Sequence, residues 1–319
     1  MYSLTDYCAM IADRVRMEAY QAALRRAVTP DSVVLDVGTG IGTFAILACR
    51  YGARRVFAVE PGDVVHLARR IAHDNGVADR IEFIQDVSTE ITLPERADVM
   101  ISDLRAVLPL FQQHIPSIID ARKRLLQPGA VMIPWRDTLW GAVVHAPEYY
   151  RKATQPWSDE LEVDMRATHP ILTQMSRRAF ASADQLVTEP MPWATLEYET
   201  IESPNVQGSL KWTATRTATG HGMMLWFDTE LADGVGFSNA PGQTETIYGR
   251  EFFPFSSEVE LNPGDSISID LSADLVRDRY VWRWDTRVVS AGDGGADRAR
   301  FQQTCLSTDF YSSESHRKG

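Results

Sequence analysis

Along the first 134 positions, short apolar runs alternate with stretches in which apolar residues recur every three or four places. The runs at 33–37, 55–60, 81–85, 99–103 and 131–134 predict buried strands, and the periodic stretches at 10–27, 43–51, 63–75 and 112–126 predict amphipathic helices. Gln127, Pro128 and Gly129 read as the stop of the last helix. Regular alternation of strand and helix implies a parallel sheet covered on both faces. After Pro134 the rhythm changes. Short β-prone runs at 140–144, 194–200, 210–217, 223–229, 257–261, 266–271 and 280–286 are separated by turn signals such as Ala232-Asp233-Gly234, Pro241-Gly242 and Asn262-Pro263-Gly264. That half reads as an antiparallel barrel or sandwich. The segment 157–180 fits neither rhythm and reads as an inserted helical arm, while the polar tail 290–319 reads as a linker or loosely ordered end. The expected division is an α/β domain over 1–134 and a β-barrel-like domain over 135–319.

The most specific local signal lies where the first strand ends. Asp36 closes it, and Gly38, Gly40 and Gly42 follow at alternate positions before a helical stretch. Glycines let the backbone turn sharply and approach a ligand closely. Strand, glycine turn and helix together form a nucleotide site at the carboxyl edge of a sheet. A dinucleotide loop spaces its glycines as G-x-G-x-x-G and seats a pyrophosphate on the helix N-terminus. Here the spacing is D-x-G-x-G-x-G, and a carboxylate in that place would repel a pyrophosphate but suit a cation. S-adenosyl-L-methionine carries an amine and a sulfonium and no phosphate. A second acid, Glu60, ends the next strand about 20 residues beyond the glycines, where an acid hydrogen-bonds ribose hydroxyls. Asp36, Gly38, Gly40 and Glu60 are therefore the expected cofactor residues. Asp86, Val87 and Ser88, after the third strand, are the expected adenine contacts.

Composition narrows the class. The 319 residues suffice for two domains, and 44% apolar with 24% charged content is ordinary for a soluble globular chain. No apolar run approaches membrane-spanning length, and the first residues lack the layout of a signal peptide. Cys8, Cys49 and Cys305 stand far apart, which suggests a reducing, cytoplasmic setting and no zinc or other metal. A net charge of −11 disfavours nucleic acid as partner and favours a basic peptide or small amine.

Three further features resemble the protein arginine methyltransferase family over nearly the whole length. The stretch 10–16, followed by Tyr20, is similar to the N-terminal helix that folds over the cofactor in that family. The resemblance makes Arg16 the partner of the cofactor carboxylate. Asp98 to Asp103 stands in place of the acidic loop after the fourth strand, and 221–228 and 236–241 look like strands of the family's barrel. The sheet-then-barrel order, with an arm at 157–180, matches the dimerising arm. The resemblance implies a class I methyltransferase. Its seven-stranded-type Rossmann-like domain would precede an antiparallel β-barrel-like domain with a helical dimerisation arm, assembled as a homodimer.

The chain departs from that pattern at the acceptor. Two glutamates of the family's acidic loop correspond to Asp103 and Gln112, and Arg105 adds a cation between them. A shorter acid and an amide do not reproduce two bidentate carboxylate contacts to a guanidinium. The family's Thr-His-Trp loop becomes Thr246, Ile247 and Tyr248. Asp103, Gln112 and Arg105 are thus expected to face the acceptor. Tyr248 either walls the acceptor pocket or packs in the barrel, and His114 is either a base near neutral pH or an ordinary helix-start residue. His221, Trp226 and Phe227 read as barrel packing. The expected function is methylation of a small molecule or a specialised peptide. Protein arginine N-methylation and a cofactor-binding, non-catalytic scaffold are the alternatives.

Overall fold

Five strands of the first half lie side by side and run parallel: β1 (Val33–Val37), β2 (Arg55–Val59), β3 (Ile81–Ile84), β4 (Ala97–Ser102) and β5 (Leu126–Ile133). Their order, β3-β2-β1-β4-β5, reverses direction between β1 and β4. Ligands gather at such a switch point, outside the carboxyl ends of the strands. The computed structural model describes residues 2–155, 163–292 and 295–305. Two units emerge from it. One is Met1–Asp137 with Leu196–Ser203 and Asp228–Ser238; the other is Thr138–Thr195, Pro204–Phe227 and Asn239–Gly319.

In the first unit β1 is buried at every position, as a strand covered on both faces must be. Helices α3 (Thr43–Arg50), α4 (Val64–Asp74) and α5 (His114–Arg124) connect the strands. The stretch expected as one helix over 10–27 is two, α1 (Leu4–Ala12) and α2 (Arg14–Ala27). Asp13 makes the break: its backbone is extended, and its carboxylate accepts from the amide of Arg16 at 3.1 Å, capping α2. A capping box between Ser3 and Asp6 starts α1 earlier than its apolar spacing suggested. The Gln127-Pro128-Gly129 signal also misled, because β5 begins at Leu126, directly behind the helix. Pro128 and Gly129 are exposed there, and the β4–β5 register shifts between Ala97 and Val99. A strand tolerates Pro and Gly at such an irregularity.

The remaining strands are antiparallel. One sheet runs β7 (Arg177–Ala179), β12 (Arg250–Leu261), β10 (Ala218–Ala232), β6 (Arg136–Val144) and β8 (Met191–Glu197), with β11 (Val235–Ser238) paired to β10. A second sheet runs β15 (Asp297–Thr304), β14 (Arg279–Val289), β13 (Ser266–Val276) and β9 (Val206–Thr213). Trp226, Trp284, Phe227, Phe252, Phe253 and Phe255 are the largest fully buried side chains of the second unit. Strand β15 lies inside the stretch expected as a loose tail. Its polar residues alternate along an edge strand paired to β14 from Arg283 to Val289, so polarity there marks an exposed strand face. Of the expected arm, 157–162 lie outside the described residues. The remainder holds a short helix, α6 (His169–Leu172), and ends as the edge strand β7. Among the described residues no helix is long and apolar enough to cross a membrane.

Candidate active site

The glycine loop is shaped from below by Asp36. Its carboxylate, 1% exposed, accepts from the Thr39 hydroxyl at 2.5 Å and the Ala45 amide at 3.0 Å. It thereby ties the turn to the start of α3. Burial pushes its pKa up to about 7. Asp36 therefore holds the loop and is not among the side chains that line the adjoining cavity.

Gly38, Gly40 and Gly42 all adopt positive φ, at 74°, 56° and 84°, which L side chains rarely take. Space is equally restrictive. A Cβ on Gly38 would come within 2.2 Å of Leu104, and one on Gly40 within 2.6 Å of Tyr7. Glu60, at the end of β2, braces the loop from the other side. Its Oε2 accepts from Gly40 N at 3.1 Å and its Oε1 from Gly62 N at 2.9 Å.

A cavity of about 630 Å³ opens over this loop, within the usual range for small-ligand sites. Gly38, Gly40, Glu60, Val87, Ser88, Arg16, Asp103, Gln112 and His114 all line it, as do Tyr2, Tyr7, Met10 and Ile11 from the N-terminal segment. Nine of the thirteen site residues expected from the sequence therefore border one cavity, and Asp36, Asp86, Arg105 and Tyr248 do not. Asp86 is exposed and turns its carboxylate onto the Val87 amide at 2.8 Å, apart from the lining set. Gln112 lines the cavity with φ at 43°. For a non-glycine residue that conformation costs on the order of 1 kcal/mol or more.

Arg16 and Asp103 form a buried ion pair. The Nε of Arg16 donates to Asp103 Oδ2 at 2.7 Å, and its Nη2 lies 2.6 Å from the same oxygen. Arg16 also donates to the Met10 carbonyl at 3.0 Å and stacks over Tyr20 and Phe44. Asp103 Oδ1 accepts from Arg105 Nε at 3.1 Å. Arg105 has a fully buried side chain and lies outside the cavity lining. It donates to Asp137 Oδ1 at 3.0 Å, to Thr229 at 2.8 Å and to the Tyr20 hydroxyl. Two guanidiniums and two carboxylates thus neutralise one another below the loop.

The polar set continues past Asp137. The Tyr198 hydroxyl donates to Asp137 Oδ2 at 2.6 Å, and His114 Nε2 lies 3.1 Å from that hydroxyl. His114 is 1% exposed, and burial followed by the nearby Arg105 charge pushes its pKa down to about 3. It is therefore no base near neutral pH. Asp137 and Tyr198 were missed from the sequence. They sit 34 and 95 positions from Asp103 on β6 and just beyond β8, and no local spacing links them to the loop. Tyr248 belongs to the second unit, where it is 3% exposed and packs edge-to-face on Phe227 at 5.2 Å between ring centroids.

The comparisons with known proteins follow this division. Residues 136–284 match the family model described as the arginine methyltransferase oligomerization subdomain, and residues 17–133 match that of ribosomal protein L11 methyltransferase. A probable protein arginine N-methyltransferase 6 of Arabidopsis thaliana is 29% identical over 278 residues, 82% of this chain and 64% of that protein. The protein arginine N-methyltransferase PRMT10 of Oryza sativa subsp. japonica is 42% identical over 139 residues, 43% of this chain and 37% of that protein. This chain therefore spans less than two thirds of the length of these curated relatives. Among solved structures, the Trypanosoma brucei PRMT1 enzyme–prozyme complex with AdoHcy superposes with a TM-score of 0.83 at 22% identity, covering 93% of this chain and 97% of that one. Arabidopsis thaliana protein arginine methyltransferase 10 gives 0.82 at 24% identity, covering 95% and 97%. In sequence and in fold the chain is arginine-methyltransferase-like: a class I methyltransferase domain followed by the strand-rich domain that the oligomerization-subdomain model matches.

Proposed function

We propose that this chain is an S-adenosyl-L-methionine-dependent methyltransferase. One observation carries the reading: the positive-φ glycine loop, Glu60 and the Arg16–Asp103 pair line a single cavity at the switch point of the sheet. The residues fit the cofactor. Glu60 offers carboxylate oxygens to ribose hydroxyls, Arg16 offers a guanidinium to the amino-acid carboxylate, and Val87 and Ser88 border the space for the purine. No Cβ projects from Gly38 or Gly40 into the approach of a ligand. When bound, the cofactor supplies a methyl group on a sulfonium that is already a good leaving group. The chain's task is to align an acceptor lone pair, exclude water and provide for the acceptor's proton.

The curated relatives are named protein arginine N-methyltransferases, which favours an arginine side chain of a protein over a small molecule as acceptor. One observation favours the second reading, a small molecule or specialised peptide. Both oxygens of Asp103 are engaged by the chain's own guanidiniums, and Gln112 supplies an amide in place of a second carboxylate. A tritiated-methyl assay on a cell extract, split into protein and small-molecule fractions, separates the two. Methylarginine in the protein fraction, identified by mass spectrometry, supports the first. Label confined to the small-molecule fraction supports the second. Tight cofactor binding with no turnover in either fraction points to a scaffold.

The homodimer belongs to the same proposal and draws on the match of 136–284 to an oligomerization subdomain. Light scattering should report twice the 35.8 kDa of one chain; a monomer at high concentration would remove it. A cytoplasmic setting accords with the thiols of Cys8 and Cys49, which form no disulfide.

A further inference from the structure

The hydrogen bonds from Arg105 to His114 run in one direction. Arg105 is buried and has only protons to give, so Asp137 Oδ1 accepts from it. Burial raises the pKa of Asp137, while the Arg105 guanidinium and the hydrogen bonds from Thr229 and Tyr198 oppose it; in the ion pair at 3.0 Å Asp137 is a carboxylate and can only accept. The Tyr198 hydroxyl therefore points its single proton at Asp137 Oδ2. Toward His114 its oxygen is left as an acceptor, so the ring nitrogen 3.1 Å away, Nε2, must carry the hydrogen. A neutral imidazole carries only one. His114 Nδ1 is then a bare lone pair, and it finds no hydrogen-bond partner among the described residues. His114 is among the residues that line the cavity over the glycine loop, with Nδ1 itself shielded from solvent. Buried polar atoms are rarely left unpaired, so an orphan in a residue that borders a ligand cavity points to a contact that a ligand completes.

We propose that His114 offers Nδ1 to the cavity as a hydrogen-bond acceptor for an N–H or O–H group of the bound ligand, with Tyr198 and Asp137 fixing the tautomer. An amino or hydroxyl group of the cofactor supplies such a donor, and so does an acceptor nitrogen that carries hydrogen. The inference rests on the reading of this cavity as the methyltransferase site. It gives His114 a fixed polarity rather than a role as a base.

Long-range proton–nitrogen NMR on histidine-labelled protein tests it, with His114→Gln identifying the His114 signals among the 7 histidines. The free protein should show His114 as the neutral Nε2–H form between pH 5 and 8. Tyr198→Phe, which keeps the imidazole but cuts it from Asp137, should mix the two tautomers; a merely structural hydroxyl would leave the tautomer alone. Saturation with S-adenosylhomocysteine should then move Nδ1 and leave Nε2 nearly unchanged, which assigns the donor to the cofactor. Movement only on adding a glycine-arginine-rich peptide assigns it to the acceptor. His114→Phe should weaken the ligand that moves Nδ1 by about tenfold. An Nδ1–H tautomer in the free protein overturns the proposal, and so does an Nδ1 signal that neither probe moves while calorimetry reports cofactor binding. Calorimetry with no S-adenosylhomocysteine binding overturns the methyltransferase reading and this inference together.

Discussion

Arg16 and Asp103 meet through one oxygen: Nε and Nη2 of the arginine converge on Oδ2 at 2.7 and 2.6 Å, which leaves Oδ1 to Arg105 at 3.1 Å. With its side chain 6% exposed, Asp103 is thus shared by two guanidiniums. The residue expected to greet a substrate is also the anion that allows two arginines to be buried.

Asp103→Asn should therefore destabilise the fold by about 3–5 kcal/mol, because removing one partner leaves buried charge uncompensated. Urea denaturation measures it directly. A midpoint equal to that of the parent would mean that water, not Asp103, solvates these arginines.

Glu60→Ala should weaken S-adenosylhomocysteine by about 1–3 kcal/mol, the usual loss for a hydrogen bond to a charged group. Its carboxylate reaches both Gly40 and Gly62, so part of the effect will come through a looser loop. Titration calorimetry showing unchanged affinity removes Glu60 from the site.

Gly40→Ala should also lower cofactor affinity, with a separate cause. The new methyl group would sit at a φ of 56° and meet the Tyr7 ring at 2.6 Å, displacing α1 from the cavity wall. Proteolysis near residue 7 should speed up in this variant. Parent-like affinity and parent-like cleavage together would refute the prediction.

The pH dependence of stability should carry two opposed slopes. His114 has a folded pKa near 3 against 6.5 when unfolded, so between these values the unfolded chain binds more protons. Stability contributed by the neutral ring is then lost as pH falls from 6.5, by up to about 1.4 kcal/mol per pH unit. Asp36 works in the other sense. Its folded pKa near 7 lies above 3.8, the folded state binds more protons in that window, and stability is lost as pH rises through it. The parent curve should be flat where the two overlap. His114→Gln should uncover the Asp36 slope, so that the variant gains on the parent as pH falls below 6.5. Parallel curves from denaturation at several pH values would contradict this.

The alternation of strands and helices, the glycine loop and Glu60 were legible in the sequence because each depends on neighbours in the chain. A strand's apolar run, a turn's glycines and an acid at a strand end are local patterns. Asp36 was legible as a residue but not in its role, since only the fold shows its carboxylate turned onto Thr39 and Ala45. Arg105 was visible as a cation out of place in the loop. Its resolution was not, because Asp137, Tyr198 and Thr229 come from distant strands and no periodicity pairs them. The tail was misread for a related reason: an edge strand such as β15 shows its polar face and pairs on one side only.

The four charges Arg16, Asp103, Arg105 and Asp137 cancel as two pairs, Arg16 with Asp103 and Arg105 with Asp137, and Asp103 ties the pairs together. Sequence drift through this loop must therefore move in steps of two. A descendant that loses the cation at 105 is burdened with a lone carboxylate at 137 until that residue changes as well, and one that keeps it inherits an Asp103 already bound on both sides. Such coupled positions act as a latch on divergence: acceptor preference can shift only by crossing an unstable intermediate or by changing two distant codons together.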